Sequence, residues 1–231
     1  MKKEHDMSHE LSLAGKIKNV VFGSTHGIVS LLSLLTGIAT ASNSRTTILI
    51  TGVIALAAGA VTLFSVQYLA SKSQKETWQM VVEHEKDEFK RKPKHEIREM
   101  RDYYLNAGFT RKETEILIKG ITRNEKRWIE AHLTHVLNIF PNKLGKPFRD
   151  AVQLTTYHLI GGLLPLVPYF VLPVKTAIGY SIVISLAALF ALGAIKNPKK
   201  RLQSAVETFL IAAIAVIVCY LLGTAVGLLI A

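Results

Sequence analysis

The stretch EKDEFKRKPKHEIRE, residues 85–99, carries two pairs of glutamates separated by a proline. The glutamates of each pair are three residues apart, so each pair lies on one face of its own helix. Pro93 disfavours helical geometry in the residue before it, and we therefore predict that one helix ends there and a second begins. If these helices fold back on each other, four carboxylates converge: Glu85, Glu88, Glu96 and Glu99.

Apolar segments flank this polar stretch on both sides. The chain has 231 residues, of which 49% are hydrophobic and 19% are charged. The apolar residues are concentrated in blocks of about 20 residues, the length that crosses about 30 Å of hydrocarbon as a helix. We therefore predict an all-α integral membrane protein with five transmembrane helices and a helical cytosolic insert between the second and third. The predicted spans are residues 17–40, 47–70, 151–172, 176–195 and 205–231.

These spans divide the chain into four predicted parts. They are a cytosolic lead-in at 1–16, transmembrane helices 1–2 at 17–70, a cytosolic helical metal-binding domain at 71–150, and transmembrane helices 3–5 at 151–231. Inside the insert, Gly108 is a candidate for a left-handed helix cap, and the last helix is expected to run to about Phe140. Two threonine–glutamate pairs fit the capping box that begins a helix: Thr110 with Glu113, and Thr122 with Glu125.

The basic residues predict the orientation of the spans. The N-terminal lysines, the basic insert and the loop at 196–201 fall on one side, whereas Arg45 and Lys175 fall on the other. By the positive-inside rule the N-terminus and the insert are cytosolic, and the C-terminus lies outside or in a lumen. The formal charge of +11 therefore reflects membrane topology, and we predict no nucleic-acid partner. Residues 1–15 carry no signal-peptide pattern.

Two histidines extend the candidate metal site. His132 and His135 are three residues apart in the last insert helix, close enough to share an ion. Carboxylates with imidazoles suit Fe²⁺, Mn²⁺ or Zn²⁺, whereas oxygens alone would also accept Ca²⁺ or Mg²⁺. The alternative is a solvated helix with ion pairs such as Glu88 with Lys92, and a histidine pair that lies on the surface.

Two polar residues within the spans are candidate pore-lining residues. An ionisable group in a span is costly and usually faces a bundle interior or a watery path, which makes His26 a candidate. Gln67 lies near the cytosolic end of the second span, where it would guide an ion or anchor the helix. Gly23 and Gly27 let another helix approach closely. His158 is interpreted as an interface residue near the start of the third span.

Several motifs resemble the vacuolar iron transporter family. They are FGSTHGIVS at 22–30, QYLASKSQKE at 67–76, GGLLPLVPY at 161–169, ALFALGAIK at 188–196 and ETFLIAAIAVIVCYLLG at 207–223. The glutamate spacing at 85–99 also resembles the carboxylate pairs of that family. The resemblance implies a homodimer with a pore between subunits that exchanges Fe²⁺ or similar divalent ions against protons across the lipid bilayer.

The chain departs from the family at several positions. Members usually have an aspartate where His26 stands, a methionine at about Leu63 and a glutamate where Gln67 stands. In the last insert helix, methionines and a glutamate are expected near His132 to Val136. We expect these changes to weaken the binding of hard cations and to alter proton coupling.

The leading functional prediction is a secondary transporter that exports Fe²⁺, Mn²⁺ or Zn²⁺ from the cytosol, with the metal as substrate and no prosthetic group. The alternative is a non-transporting membrane protein that binds or senses metal on the same scaffold. An enzyme is not expected, because the sequence contains no nucleophile–base arrangement and no phosphate-binding loop of the Walker type. A prokaryotic plasma membrane and a vacuole-type membrane both fit.

Overall fold

The computed structural model describes residues 2–137, 146–197 and 199–230, and the side chains of residues 17–137, 146–197 and 199–229. Within this part the chain forms helices and no strands, which confirms the predicted all-α class. The helices are α1 (Lys2–Ala41), α2 (Arg45–Arg91), α3 (Pro93–Asn106), α4 (Arg111–Ile121), α5 (Glu125–His135), α6 (Pro147–Val171), α7 (Val174–Lys196) and α8 (Arg201–Ile230).

Five of the described helices are long and apolar enough to cross a membrane, and they are α1, α2, α6, α7 and α8. The chain forms two compact units. The first, called the membrane unit below, comprises Met1–Tyr68 and Phe148–Ala231. The second, called the insert unit, comprises Leu69–Pro147. The finer four-part division stays a prediction.

Within the membrane unit, α1 and α6 pack with their backbones in close contact. A Cβ atom on Gly27 would lie 2.2 Å from the carbonyl oxygen of His158, and one on Gly161 would lie 2.4 Å from that of Ser24. Helices inside a bilayer gain their association energy from such close packing, since lipid tails are as apolar as leucine side chains. The close approach expected at Gly23 and Gly27 is therefore present, and α6 supplies the neighbouring helix.

Small residues also join α1 to α8. A Cβ on Gly223 would lie 2.2 Å from the carbonyl oxygen of Gly37, and one on Gly227 would lie 3.2 Å from Cα of Ala41. Leu31, Leu35 and neighbouring apolar residues of α2, α6 and α7 form the buried core beside this contact. The first helix is thus held on two sides by contacts that leave no room for a side chain.

Polar side chains satisfy backbone groups around α6. The guanidinium of Arg45 donates to the carbonyl oxygens of Tyr169, at 2.8 Å, and of Phe170. These carbonyls belong to the last turn of α6, which lacks helical partners and carries partial negative charge. The hydroxyl of Ser181 donates to the carbonyl oxygen of Pro165 at 2.7 Å.

The insert unit confirms two of the local signals. Gly108 has φ +95°, and it follows α3. The amides of Gly108 and Phe109 donate to the carbonyls of Leu105 and Tyr104, the bonding pattern of a Schellman cap. Thr110 begins α4 with a complete capping box to Glu113.

The start and end of α5 differ from the prediction. Its N-cap is Asn124, whose side chain accepts a hydrogen bond from the Arg127 amide at 3.0 Å. Thr122 instead ends α4, because its hydroxyl donates to the carbonyl oxygen of Ile118. The helix ends at His135 rather than near Phe140, and Phe140 itself lies outside the described residues.

We predict that Gly27→Ala destabilises the membrane unit. The added methyl group would overlap the α6 backbone, which cannot swing aside as a side chain does, and overpacking of this kind costs about 1–3 kcal/mol. The apparent melting temperature of the detergent-purified protein should fall by about 2–12 °C. The matched control is Gly179→Ala in α7, where nothing lies within 4 Å of the new Cβ. Equal melting temperatures for the two variants would contradict the close α1–α6 contact.

Candidate metal centre

The proline break positions the two glutamate pairs. Helix α2 ends at Arg91, and Lys92 leaves helical geometry with φ −135° and ψ 53° before Pro93 opens α3. Glu85 therefore lies near the end of α2, while Glu96 lies in the first turn of α3. Because each helix presents its own carboxylate face, the turn brings the two faces toward one another.

His132 of α5 lies where these faces meet. Its Nε2 atom is 3.4 Å from Glu85 Oε2, 3.4 Å from Glu96 Oε2 and 3.6 Å from Glu99 Oε2. One imidazole nitrogen thus faces three carboxylates that come from two other helices. The ring is held by Phe89, whose centroid is 5.2 Å away in an edge-to-face arrangement.

The centre of this cluster is excluded from solvent. Glu85 is 8% exposed, Glu96 is 1% exposed and His132 is 0% exposed. Within the described residues, Oε2 of Glu96 and both ring nitrogens of His132 lack a hydrogen-bond partner, whereas Oε1 of Glu96 faces His95. Buried polar atoms without partners cost free energy, and nitrogen and oxygen donors that converge in this way are the usual ligands of a metal ion.

The pKa values of two cluster residues shift in the direction that this burial dictates. Removal from water raises the pKa of the Glu96 carboxyl above its ordinary value, and the neighbouring Glu99 carboxylate raises it further. Burial lowers the pKa of the His132 imidazole, although the Glu99 charge opposes that effect. Without a cation the cluster therefore favours the neutral forms of both groups. A bound divalent ion would reverse the preference of the carboxyl.

A second group of possible ligands overlaps the first. His95, Glu96 and Glu99 place one donor atom each within 4.8 Å of the others. Glu96 belongs to both groups: its Oε1 is 3.5 Å from His95 Nδ1, whereas its Oε2 faces His132. A carboxylate with its two oxygens directed toward different imidazoles can bridge two ions.

Two residues of the predicted site lie apart from this cluster. The carboxylate of Glu88 is 3.6 Å from Lys92 Nζ and 3.8 Å from His84 Nε2, as in the ion-pair alternative. His135 is exposed, and its ring lies 5.9 Å from those of Tyr103 and Tyr104. The structure therefore brings together Glu85, Glu96, Glu99 and His132 out of the six predicted ligands.

The membrane unit contains the two predicted pore-lining residues. His26 is exposed on α1 and lines a cavity of about 810 Å³, and Gln67 is partly buried in α2. No contact between His26 and His158 is predicted from the sequence. The structure buries His158 fully and places its Nδ1 atom 3.1 Å from His26 Nδ1. An available signal was that His158 is itself an ionisable residue in a span.

Comparisons with known proteins agree with the resemblance. The sequence model of the VIT family matches residues 17–224. The chain is 26% identical to Vacuolar iron transporter 1 of Arabidopsis thaliana over 216 residues, which cover 92% of this chain and 86% of that protein. It is 28% identical to Vacuolar iron transporter 1 of Oryza sativa subsp. japonica over 214 residues, covering 91% and 85%. It is also 28% identical to Protein CCC1 of Saccharomyces cerevisiae over 185 residues, covering 78% and 57%.

We predict opposite effects of Glu96→Gln on the metal-free and metal-bound protein. A carboxyl whose folded pKa is raised loses stability as pH rises from its ordinary range through the raised value. Wild type and variant should therefore melt alike near pH 4, and the metal-free variant should melt higher at pH 7.5. Saturating Zn²⁺, at 100 times its dissociation constant, should stabilise the wild type by about 2.7 kcal/mol and the variant by much less.

The matched control is Glu83→Gln, which changes an exposed glutamate of α2 outside both ligand groups. It should leave the zinc-induced stabilisation intact. Thermal unfolding of wild type and both full-length variants, at both pH values and with and without zinc, makes the comparison. A Glu96→Gln protein that zinc stabilises as strongly as wild type would remove Glu96 from the site.

Proposed function

The chain belongs to the VIT family, and from this premise we propose that it exports divalent transition-metal ions from the cytosol, with Fe²⁺ as the first candidate and Mn²⁺ or Zn²⁺ as further substrates. Family members are transporters, so the chain is not an enzyme, as its sequence predicted. It is a multi-pass membrane protein with a metal-transport function in the general sense.

The observation that carries the proposal is the buried cluster around His132. Three carboxylates meet one imidazole, and within the described residues none of the three has a lysine or arginine as an ion-pair partner. In a metal-free protein this arrangement is unfavourable, because buried acids remain without compensating charge. We propose that Glu85, Glu96, Glu99 and His132 collect the ion from the cytosol, with Glu88 and His135 at the margin.

The exposed position of His26 supports a homodimer pore. His26 and Phe22 are exposed on α1, in a segment apolar enough to cross the membrane. An imidazole in contact with lipid tails is costly, so the α1 surface requires a polar or protein neighbour. We propose that a second copy of the chain covers this surface and that His26, with Gln67, lines the path between the copies.

Proton exchange is the proposed source of energy. The sequence contains no phosphate-binding loop, so a gradient rather than a nucleotide would drive transport. Histidine is the side chain whose ordinary pKa allows it to change charge near neutral pH. We propose the cytosolic orientation of the insert, and a vacuole-type or prokaryotic plasma membrane as the location.

One observation favours the second candidate function, a metal-binding or sensing protein that does not transport. Residues 17–75, which contain the first two spans, include no aspartate and no glutamate. A path without carboxylates attracts divalent cations less strongly than one that has them. In that case the insert would still bind metal, but no ion would cross.

We predict that His26→Ala and Glu96→Gln impair transport in different ways. In proteoliposomes with a pH gradient, His26→Ala should lower the maximal rate of metal uptake and of metal-driven proton flux by at least about tenfold, a loss of about 1.4 kcal/mol. Glu96→Gln should instead raise the metal concentration for half-maximal uptake, because it weakens loading rather than passage.

The control is Tyr180→Phe, which alters an exposed residue of α7. It should match wild type in both parameters. Unchanged proton flux in His26→Ala would remove His26 from the path. Wild-type protein that binds Fe²⁺ yet moves none across the bilayer would favour the sensing alternative.

A further inference from the structure

His26 and His158 form a contact that crosses two membrane-spanning helices. The Nδ1 atoms of the two rings are 3.1 Å apart, the ring centroids are 5.1 Å apart and the rings are tilted by 46°. The contact depends on the close approach of α1 and α6, because a Cβ on Gly27 would collide with the His158 backbone. Two imidazoles are therefore held edge to edge by the helix packing itself.

The protein packs closely around His158, the buried member of the pair. His158 is 0% exposed, and its Nε2 atom faces Gly59 of α2, where a Cβ would come within 2.8 Å. The backbone of Leu56, also in α2, offers this ring a hydrogen bond. A larger residue at position 59 would displace the ring. The fold thus accommodates a polar ring where an apolar side chain would cost less free energy.

The separation of the two nitrogens fits a shared metal ion. An ion bound at about 2.0–2.1 Å to each of two imidazole nitrogens, with an angle of about 90–109° between the bonds, holds those nitrogens about 2.9–3.4 Å apart. The observed 3.1 Å lies inside this range. In the metal-free protein the same separation lets one ring donate its Nδ1–H to the other. When the ion binds, each ring carries its proton on Nε2 instead.

The pair is accessible from one side. His26 lines the cavity of about 810 Å³, together with Thr25 and Ser30 of the same helix. The buried Thr25 hydroxyl has no hydrogen-bond partner within the described residues, whereas the Ser30 hydroxyl donates to the carbonyl of His26 at 2.7 Å. The cavity therefore offers the space through which a partly hydrated ion would reach His26, and through it the buried His158.

Two lysines at the cavity wall influence which ions the histidine pair would bind. Lys18 and Lys196 also line the cavity, and Lys18 lies about 12 Å from His26 along α1. Positive charge at the wall disfavours ions that bind through charge alone, such as Mg²⁺ and Ca²⁺. Neutral imidazoles bind borderline transition metals through their nitrogen lone pairs.

We propose that His26 and His158 together form an intramembrane two-histidine site for borderline divalent metals such as Fe²⁺, Zn²⁺ and Co²⁺, which selects them over Mg²⁺ and Ca²⁺. The proposal rests on the proposed transport function for its role as a transit site. The binding site itself does not depend on transport.

The test uses Co²⁺, whose visible absorption reports nitrogen ligation. Metal binding by the insert cluster is first removed by four substitutions in the full-length chain, which gives the silenced protein. They are Glu85→Gln, Glu96→Gln, Glu99→Gln and His132→Gln. The silenced protein, in lipid nanodiscs, should still bind Co²⁺ in competition with Zn²⁺ and not with Mg²⁺. Adding His26→Gln or His158→Gln should each weaken binding by at least tenfold. The double variant should be no worse than either single one, because either loss breaks the chelate.

Thr156→Val is the matched control, since it removes an exposed hydroxyl of α6 two residues from His158. It should leave the Co²⁺ affinity unchanged. His26 is exposed, so His26→Gln tests the pair without disturbing the buried packing around His158. Absence of Co²⁺ binding in the silenced protein, or unchanged affinity in both histidine variants, overturns the proposal.

Uptake assays separate this proposal from the proposed function. If wild type transports metal and His158→Gln keeps both the rate and the preference for Zn²⁺ over Mg²⁺, the pair is not a transit site while transport stands. If wild type transports nothing but both histidine variants lose Co²⁺ binding, the site stands and the transport function fails.

Discussion

The tight packing of α1 against two neighbours is the constraint on which the membrane unit depends. Glycines at positions 27, 161 and 223 allow backbone atoms to meet where a side chain would collide. In a bilayer this packing replaces the hydrophobic driving force that holds soluble helices together. It also fixes the rotation of α1, and therefore decides that His26 faces the cavity and reaches His158.

The insert unit contains an arrangement that lowers its own stability, namely the cluster around His132. Acids and an imidazole are gathered in a place where burial resists their charge, as the raised pKa of Glu96 and the lowered pKa of His132 both indicate. Structural ion pairs usually avoid this situation by including a lysine or arginine. A cation bound by these groups, as proposed, would recover this stability and would couple the folding of the cluster to metal binding.

The sequence was sufficient for features that depend on local chemistry. The five spans follow from apolar length, the α2–α3 break from Pro93, and the end of α3 from Gly108. Features that depend on competition or on distant contacts were missed. Thr122 and Asn124 are both good caps, and the Ile118 carbonyl decided between them by accepting the Thr122 hydroxyl. The helical spacing of His132 and His135 does not reveal that only His132 faces the glutamates. No local sequence pattern links His26 to His158, which lies 132 positions further along the chain.

Arg45 is a basic residue that binds the end of a helix, although its charge is also read as an indicator of membrane orientation. Its guanidinium reaches two successive carbonyl oxygens at the end of α6, and its planar array of donors suits such paired acceptors. The compact ammonium group of a lysine lacks that planar array, so an exchange that preserves charge would not preserve this contact. The end of α6 therefore requires Arg45 at the start of α2, on the side that the basic residues predict to be non-cytosolic. A basic residue that has such a structural role should be left out of the count of charges from which the orientation in the membrane is predicted. For this chain that leaves Lys175 as the basic residue on the predicted non-cytosolic side.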